Sequence, residues 1–372
     1  MPHPLTSQAQ HLKSWLIDAA LPFWAENARD DQGLFYEYLN HDCTPAVNAV
    51  RRLRVQARQI YTYGLATQLG WYDAADIVRK TWDAMLRIGY MPDGEDGFIH
   101  LLNPDYSVND ERRDLYDHAF YLLSAAFAKE HVDDAEPVSS DILTLLNKWA
   151  SPYGGWVEGR PVTLPRRQNP HMHLFETSLV WMKIPETRIW RNMADHVFGL
   201  FQNCFFDARH HIIREFFGDD WTIADGEKGD TVEPGHMAEW VWLLWQYERQ
   251  TGTDTSFYAN TLYDRVLKGP DFFLYDEEGV SGEVRRRTRR LWCQTELVKA
   301  HLAQGERGIK GAVDAAAALI DGLMAHYLMP GGCWNDQLDA CNANIATTIP
   351  TSTLYHIICM IAEVDRIATI QD

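Results

Sequence analysis

The sequence predicts an all-α fold, an (α/α)6 barrel of six helical hairpins with short β-hairpin loops at one end. Three observations carry that prediction. Helical periodicity runs through almost the whole chain of 372 residues. Short glycine- and aromatic-bearing stretches interrupt it at a repeat of roughly 60 residues, beginning at Gly33, Gly97, Gly155, Ile213, Gly279 and Gly332. No linker or low-complexity run divides the chain, so residues 1–372 are expected to form one domain.

Each unit reads as helix, loop, helix. Helices before the loops are expected over 8–27, 71–89, 137–149, 186–206, 254–268 and 308–328, and helices after them over 45–69, 111–129, 170–182, 234–250, 290–304 and 350–368. Pro45, Pro170, Pro234 and Pro350 mark four of the later starts, because proline fits a first helical turn that has no use for its missing N–H. Twelve helices in six pairs close most economically into a ring, since an open solenoid would need polar caps at both ends.

Composition limits the function. With 46% hydrophobic and 23% charged residues the chain is ordinary globular material, and a net charge of −18 argues against nucleic acid or an anionic membrane as partner. Fourteen Trp and sixteen Tyr suit either sugar rings or barrel packing. The cysteines (Cys43, Cys204, Cys293, Cys333, Cys341, Cys359) show no C-x-x-C pair, which argues against a thiolate zinc site and for free thiols in a reducing compartment. The start lacks a signal-peptide pattern and no run of about eighteen apolar residues exists, so the expectation is a soluble cytoplasmic protein.

The chemically richest stretch is Gln168 to Glu176. Asn followed by Pro predicts a helix starting near Pro170, with Asn169 as its cap. His173 and Glu176 then share one face, beside Asn169. Such a cluster grips a polyol, a metal, or nothing. If all six loops lie at one end, the first turns of the later helices share a basin. Those turns carry Arg51, Arg54 and Arg58; Tyr116 and His118; Asn169, His173 and Glu176; His236 and Glu239; Arg290, Trp292 and Glu296; Tyr355 and His356.

His236 and Glu239 repeat the His-x-x-Glu spacing of His173 and Glu176. Two such pairs serve as metal ligands, as acid/base groups each oriented by its neighbouring carboxylate, or as packing. His171-x-His173 looks like part of a cupin metal motif, but that motif belongs on strands. The run Arg285 to Arg290 reads as a solvated loop whose end could hold an anionic group. No P-loop, dinucleotide fingerprint or serine elbow occurs. Glycoside hydrolysis needs a central pair of carboxylates, whereas histidines occupy the centre here.

Arg58 to Tyr61, Asp114 to Phe120, Gln168 to Glu176, Glu233 to Trp240, Arg290 to Trp292 with Glu296, and Tyr355-His356 together resemble the N-acylglucosamine 2-epimerase superfamily. That superfamily includes cellobiose and mannose 2-epimerases, D-mannose isomerases and sulfoquinovose isomerases. The resemblance implies an (α/α)6 barrel and proton transfer at sugar carbons 1 and 2 with no metal and no cofactor. It assigns acid/base roles to His236 and His356 and carbonyl or enediolate polarisation to Arg58. Tyr116, Asn169, His173 and Glu239 become substrate-binding residues, joined by Glu176, Trp292 and Glu296 from the same motifs. The function expected is interconversion of D-mannose and D-fructose, with D-mannose (or N-acylglucosamine-type) 2-epimerisation next and sulfoquinovose isomerisation third. A glycoside hydrolase and a non-catalytic sugar-binding protein are the other readings. The partner is a monosaccharide, and the superfamily's monomers and dimers leave a homodimer open.

Overall fold

The computed structural model describes residues 4–184, 188–269 and 272–371. Its helices, in order, are α1 (Pro4–Trp15), α2 (Leu21–Asn27), α3 (Leu53–Gln68), α4 (Ala75–Gly89), α5 (Leu115–Ala128), α6 (Ala135–Lys148), α7 (Gln168–Trp181), α8 (Arg188–Leu200), α9 (Gly226–Asp230), α10 (Pro234–Thr251), α11 (Ser256–Val266), α12 (Leu291–Glu306), α13 (Ala312–His326) and α14 (Thr353–Gln371). A π-turn, Leu16–Ala20, joins α1 to α2, and Phe201–Phe205 extends α8 in the same way.

Helices α3, α5, α7, α10, α12 and α14 pack each on the next, and α14 returns to α3, which closes an inner ring. The outer layer consists of α1, α4, α6, α8, α11 and α13, packed against α14, α3, α5, α7, α10 and α12 respectively. Sequence explains the two layers. Outer helices bury one stripe, as α4 does with Ile77, Val78, Thr81, Trp82 and Met85. Inner helices are enclosed nearly all round, so their polar residues, such as Gln168, His171, His173 and Glu176 in α7, are buried and must find partners.

The loops do more than form hairpins. Residues 101–102 with 108–110, 206–207 with 212–213, and 277–279 with 284–286 do pair within a loop. Other ladders join neighbouring units: 51–52 with 101–102, 113–114 with 159–160, 166–167 with 216–217, 231–232 with 277–279, and 289–290 with 337–338. Pairing of 348–350 with 38–40 completes the rim between the sixth unit and the first.

Two repeated devices hold the rim. The fourth residue of an inner helix accepts a backbone N–H from the loop above it. Gln56 Oε1 takes Phe35 (2.6 Å), His118 Nε2 takes Phe98 (3.1 Å), His171 Nε2 takes Trp156 (3.1 Å) and Gln294 Oε1 takes Leu274 (2.8 Å). Glycine is required beside two of them: Gly97 and Gly155 have φ of +88° and +65°, and a Cβ would lie 2.5 and 2.6 Å from the His118 and His171 rings. The second device is an arginine just before the helix. Its backbone N–H and guanidinium meet one carboxylate, as Arg52 does with Glu37, Arg167 with Glu158 and Arg290 with Asp276.

These ladders correct several expected boundaries. Helix α3 starts at Leu53, because Pro45 bridges Leu39 and Arg51–Arg52 form a strand first. Pro350 likewise ends a strand before α14. Helix α7 starts at Gln168 after extended Arg167, which puts Asn169 inside the first turn, so it does not cap. The first two residues of the helix expected over 186–206 lie outside the described residues. Arg289 is buried and Arg290 is ion-paired, so the end of the arginine run is built into the rim.

Candidate active site

At the loop end of the ring lies a cavity of about 310 Å³. Its wall includes Arg58, Tyr116, Asn169, His173, His236, Glu239, Trp292 and His356, one or two from each inner helix. The shared basin expected from the repeat phase is therefore present. Arg52, Glu233, Arg290 and Asp336 join the wall from the rim.

Three imidazoles face this cavity, and each has its Nδ1 against a buried carboxylate. His173 meets Glu176 Oε2 at 2.9 Å, His236 meets Glu215 Oε2 at 3.0 Å, and His356 meets Glu296 Oε1 at 2.8 Å. Such a partner fixes the tautomer and leaves Nε2 for the cavity. Only the first pair follows the sequence expectation of a carboxylate three residues on. Glu239, expected to orient His236, instead lines the cavity with Oε1 unpartnered. Glu176 and Glu296, expected to bind substrate, stand behind the imidazoles, where Glu176 also accepts from Tyr355 OH and Glu296 Oε2 meets Lys299 Nζ at 2.6 Å.

The two expected acid/base imidazoles are tuned apart. Burial pulls His236 down, but the charges of Glu215 and Glu233 outweigh it and raise its pKa to about 9. Burial, reinforced by the Arg58 and Lys299 cations, holds His356 well below its usual value. Burial first, and then the charge of Glu296, hold Glu239 well above the carboxylate range. Burial also raises Asp336, to about 6.

Trp292 lies between the two, its ring centroid 5.2 Å from His236 and 5.6 Å from His356. It slots against Gly235 in the first turn of α10, where a Cβ would come within 2.7 Å of the indole. Asn169 Nδ2 lies 3.2 Å from His236 Nε2, while its Oδ1 is buried without a partner. Turning the amide over lets that oxygen accept from a protonated His236 and removes the orphan.

Arg58 is caged by aromatic rings. Its guanidinium stacks over Phe120 at 4.2 Å, and Nη2 donates to Tyr116 OH at 2.6 Å. Nε is buried and unpartnered. Neighbouring Arg54 is structural by contrast, bound at 2.7 Å to Asp117, which also takes His100. His118 and His171 are the loop-docking residues described above and stand off the cavity wall.

Sequence reasoning missed Glu215 and Lys299. Glu215 lies in the fourth loop and reaches His236 only through the 166–167/216–217 ladder, while Lys299 reads as one lysine on a helix. Among the described residues, two clusters have donor atoms close enough to hold a metal ion, His173 with Glu176 and Glu239, and Glu215 with Glu233 and His236. Among the described residues no helix is long and apolar enough to cross a membrane.

The geometry has relatives. The chain is 36% identical over 384 residues to a mannose-6-phosphate isomerase of Rhizobium meliloti (strain 1021), covering 96% of this chain and 97% of that protein. It is 25% identical over 305 residues to a D-mannose isomerase of Thermobifida fusca, covering 68% and 73% respectively. Its fold matches the cellobiose 2-epimerase of Spirochaeta thermophila DSM 6192 with a TM-score of 0.88 at 20% identity, over 99% of this chain and 98% of that one. Residues 33–360 match the family described as N-acylglucosamine 2-epimerase (GlcNAc 2-epimerase). The chain belongs to the N-acylglucosamine 2-epimerase family and is a sugar isomerase or epimerase.

Proposed function

We propose that the cavity interconverts D-mannose and D-fructose by proton transfer through a cis-enediolate, without a metal. The observation that carries this reading is two imidazoles, each backed at Nδ1 by a buried carboxylate, on the same cavity as a caged guanidinium; their surroundings push the pKa of His236 up and that of His356 down. His356 takes the proton from carbon 2 of the opened sugar and returns it to carbon 1. His236 donates to the ring oxygen during opening and recovers a proton from the O1 hydroxyl; it then protonates the O1 carbonyl oxygen as His356 removes the carbon 2 proton, and takes the O2 hydroxyl proton as carbon 1 is protonated. Arg58 stabilises the enediolate, a role that a preorganised cation fills without a metal. At about 310 Å³ the cavity lies at the low end of ligand pockets, which suits a monosaccharide. Isomerisation is placed before 2-epimerisation because both curated relatives described above are named isomerases.

A second reading is D-mannose 6-phosphate as substrate. The name of the 36% identical relative and the position of Arg52 and Arg290 on the cavity wall favour it. Against it, both arginines are already paired with carboxylates, Arg52 with Glu37 and Arg290 with Glu233 and Asp276.

Incubation with each sugar in heavy water, followed by NMR, tests both readings. Fructose from D-mannose is the expected result. Turnover of the phosphate ester alone selects the second reading, glucose deuterated at carbon 2 shows an epimerase, and no change in any aldose sinks both. Activity lost to EDTA and restored by a divalent metal would overturn the metal-free part.

A further inference from the structure

His236 and His356 are held by the same device, yet their carboxylates have different third partners. Glu215 Oε2 accepts from the Gln168 amide at 3.0 Å, and Gln168 in turn accepts from Trp240 Nε1 at 2.9 Å, so that network is neutral beyond the carboxylate. Glu296 is ion-paired at 2.6 Å to Lys299, which is 0% exposed. Lys299 lies two turns along α12 from the cavity-lining Trp292, its Nζ 3.9 Å above the Trp242 ring and 3.6 Å from Cys359 Sγ.

We propose that Lys299 is a positioning residue that makes His356 the base of the pair: it neutralises Glu296, which then orients the imidazole without favouring its protonated form. The inference rests on the reading of the cavity as an aldose-isomerising site. A bare carboxylate beside an imidazole stabilises the imidazolium, as at Glu215. A carboxylate already bound to an ammonium leaves little net charge for the ring to feel, while its oxygen still accepts from Nδ1–H. The full surroundings of His356 agree. On α12 it meets Glu296 and, behind it, Lys299; Arg58 on α3, His173 on α7, and His236 and Glu239 on α10 share its cavity, and Glu176 on α7 lies behind His173. Tyr355 and Cys359 lie on its own helix, and Asp336 is on the rim. Of the carboxylates, Glu176 is spent on His173 and Tyr355. Burial opposes protonation of His356 first, and the Arg58 and then the Lys299 cation add to it.

The test reads the imidazole directly as well as turnover. In the wild-type protein, NMR of ring-labelled histidine, assigned by H356N, is expected to show His356 with a midpoint below the usual histidine value of about 6.5. In K299M its midpoint rises by one pH unit or more, and the acid limb of kcat/KM moves up with it. K299R, which keeps the cation, leaves both in place. The double variant E296Q/K299M removes both charges and is expected to restore the low midpoint. A folded K299M with an unshifted His356 midpoint overturns the proposal, even if kcat falls. If K299M does not fold, wild-type His356 protonating at or above pH 6.5 overturns it, as does a raised midpoint in E296Q/K299M. Because the titration needs no substrate, a wrong substrate assignment leaves this result standing.

Discussion

His236 and His356 share one aromatic neighbour: the Trp292 indole is tilted 40° to the first ring and 36° to the second. Trp292 packs on both rings, and Asn169 stands at His236 Nε2. Replacing either histidine with alanine is expected to lower kcat by about 10²- to 10⁴-fold. The double variant should lose little more than the worse single one, because groups acting as a unit are not additive. H356A should also abolish deuterium exchange at carbon 2. Exchange retained at the wild-type rate would remove His356 from the base role.

The activity profile in pH follows from the same pair. His236 must carry its proton, so activity is full below its raised pKa and falls as pH passes about 9. His356 must be unprotonated, so the acid limb lies below the usual histidine value of about 6.5. The expected kcat/KM profile is a bell with a flat top across neutral pH and a basic limb near 9. Stability follows His236 with the same sign, since a pKa raised on folding stabilises fully below the unfolded value and is lost as pH rises through about 9. A basic limb near 6.5 would contradict the assignment.

The sequence and the structure agree on what position in the repeat decides. Six periodic units, the ring, and the convergence of Arg58, Tyr116, His173, His236, Trp292 and His356 were legible because position in a repeat maps directly onto position in a ring. Pairing of side chains was not. Spacing suggested that Glu239 orients His236, but on an inner helix three residues also lead one turn down the bore, and Glu215 arrives from the neighbouring loop instead. Helix starts beside Pro45 and Pro350 failed for a related reason, because strand ladders between units claim those residues first.

Glu239 offers a test of charge in the layer beneath the sugar. It shares this layer with Glu176 and Glu296, and burial, then the charge of Glu296, push its pKa well above the carboxylate range, which favours the protonated acid. A carboxylic acid there can donate a hydrogen bond to a sugar oxygen, and glutamine mimics it closely. E239Q is expected to keep kcat/KM within about tenfold of wild type, whereas E239A should lose roughly 10²-fold or more. An acid whose pKa rises on folding costs stability as pH climbs above its unfolded value, so E239Q should also raise Tm at pH 8. A lower Tm for E239Q would show an ionised, paired Glu239.

The rim predicts its own repair. His118 and His171 each hold a loop by accepting a backbone N–H, and burial lowers their pKa to about 4 and about 3. Both are neutral in the fold at pH 7. As pH falls below about 6.5 the unfolded chain binds protons that the native state refuses, so stability drops progressively toward those lower values. Truncation to alanine strands the N–H of Phe98 or Trp156 in the interior, at a cost of about 1–3 kcal/mol each. Glutamine does this job at Gln56 and Gln294, where Nε2 also donates back to the loop carbonyls of Phe35 and Leu274 at 2.9 Å. H171Q is therefore expected to recover part of the stability lost in H171A and to flatten the acid side of the unfolding curve. Denaturant unfolding of wild type, H171A and H171Q at pH 7 and pH 5 measures both effects. Equal stability of H171A and H171Q at pH 7 would show that the imidazole serves as filler and that the loop is held by its ladders alone.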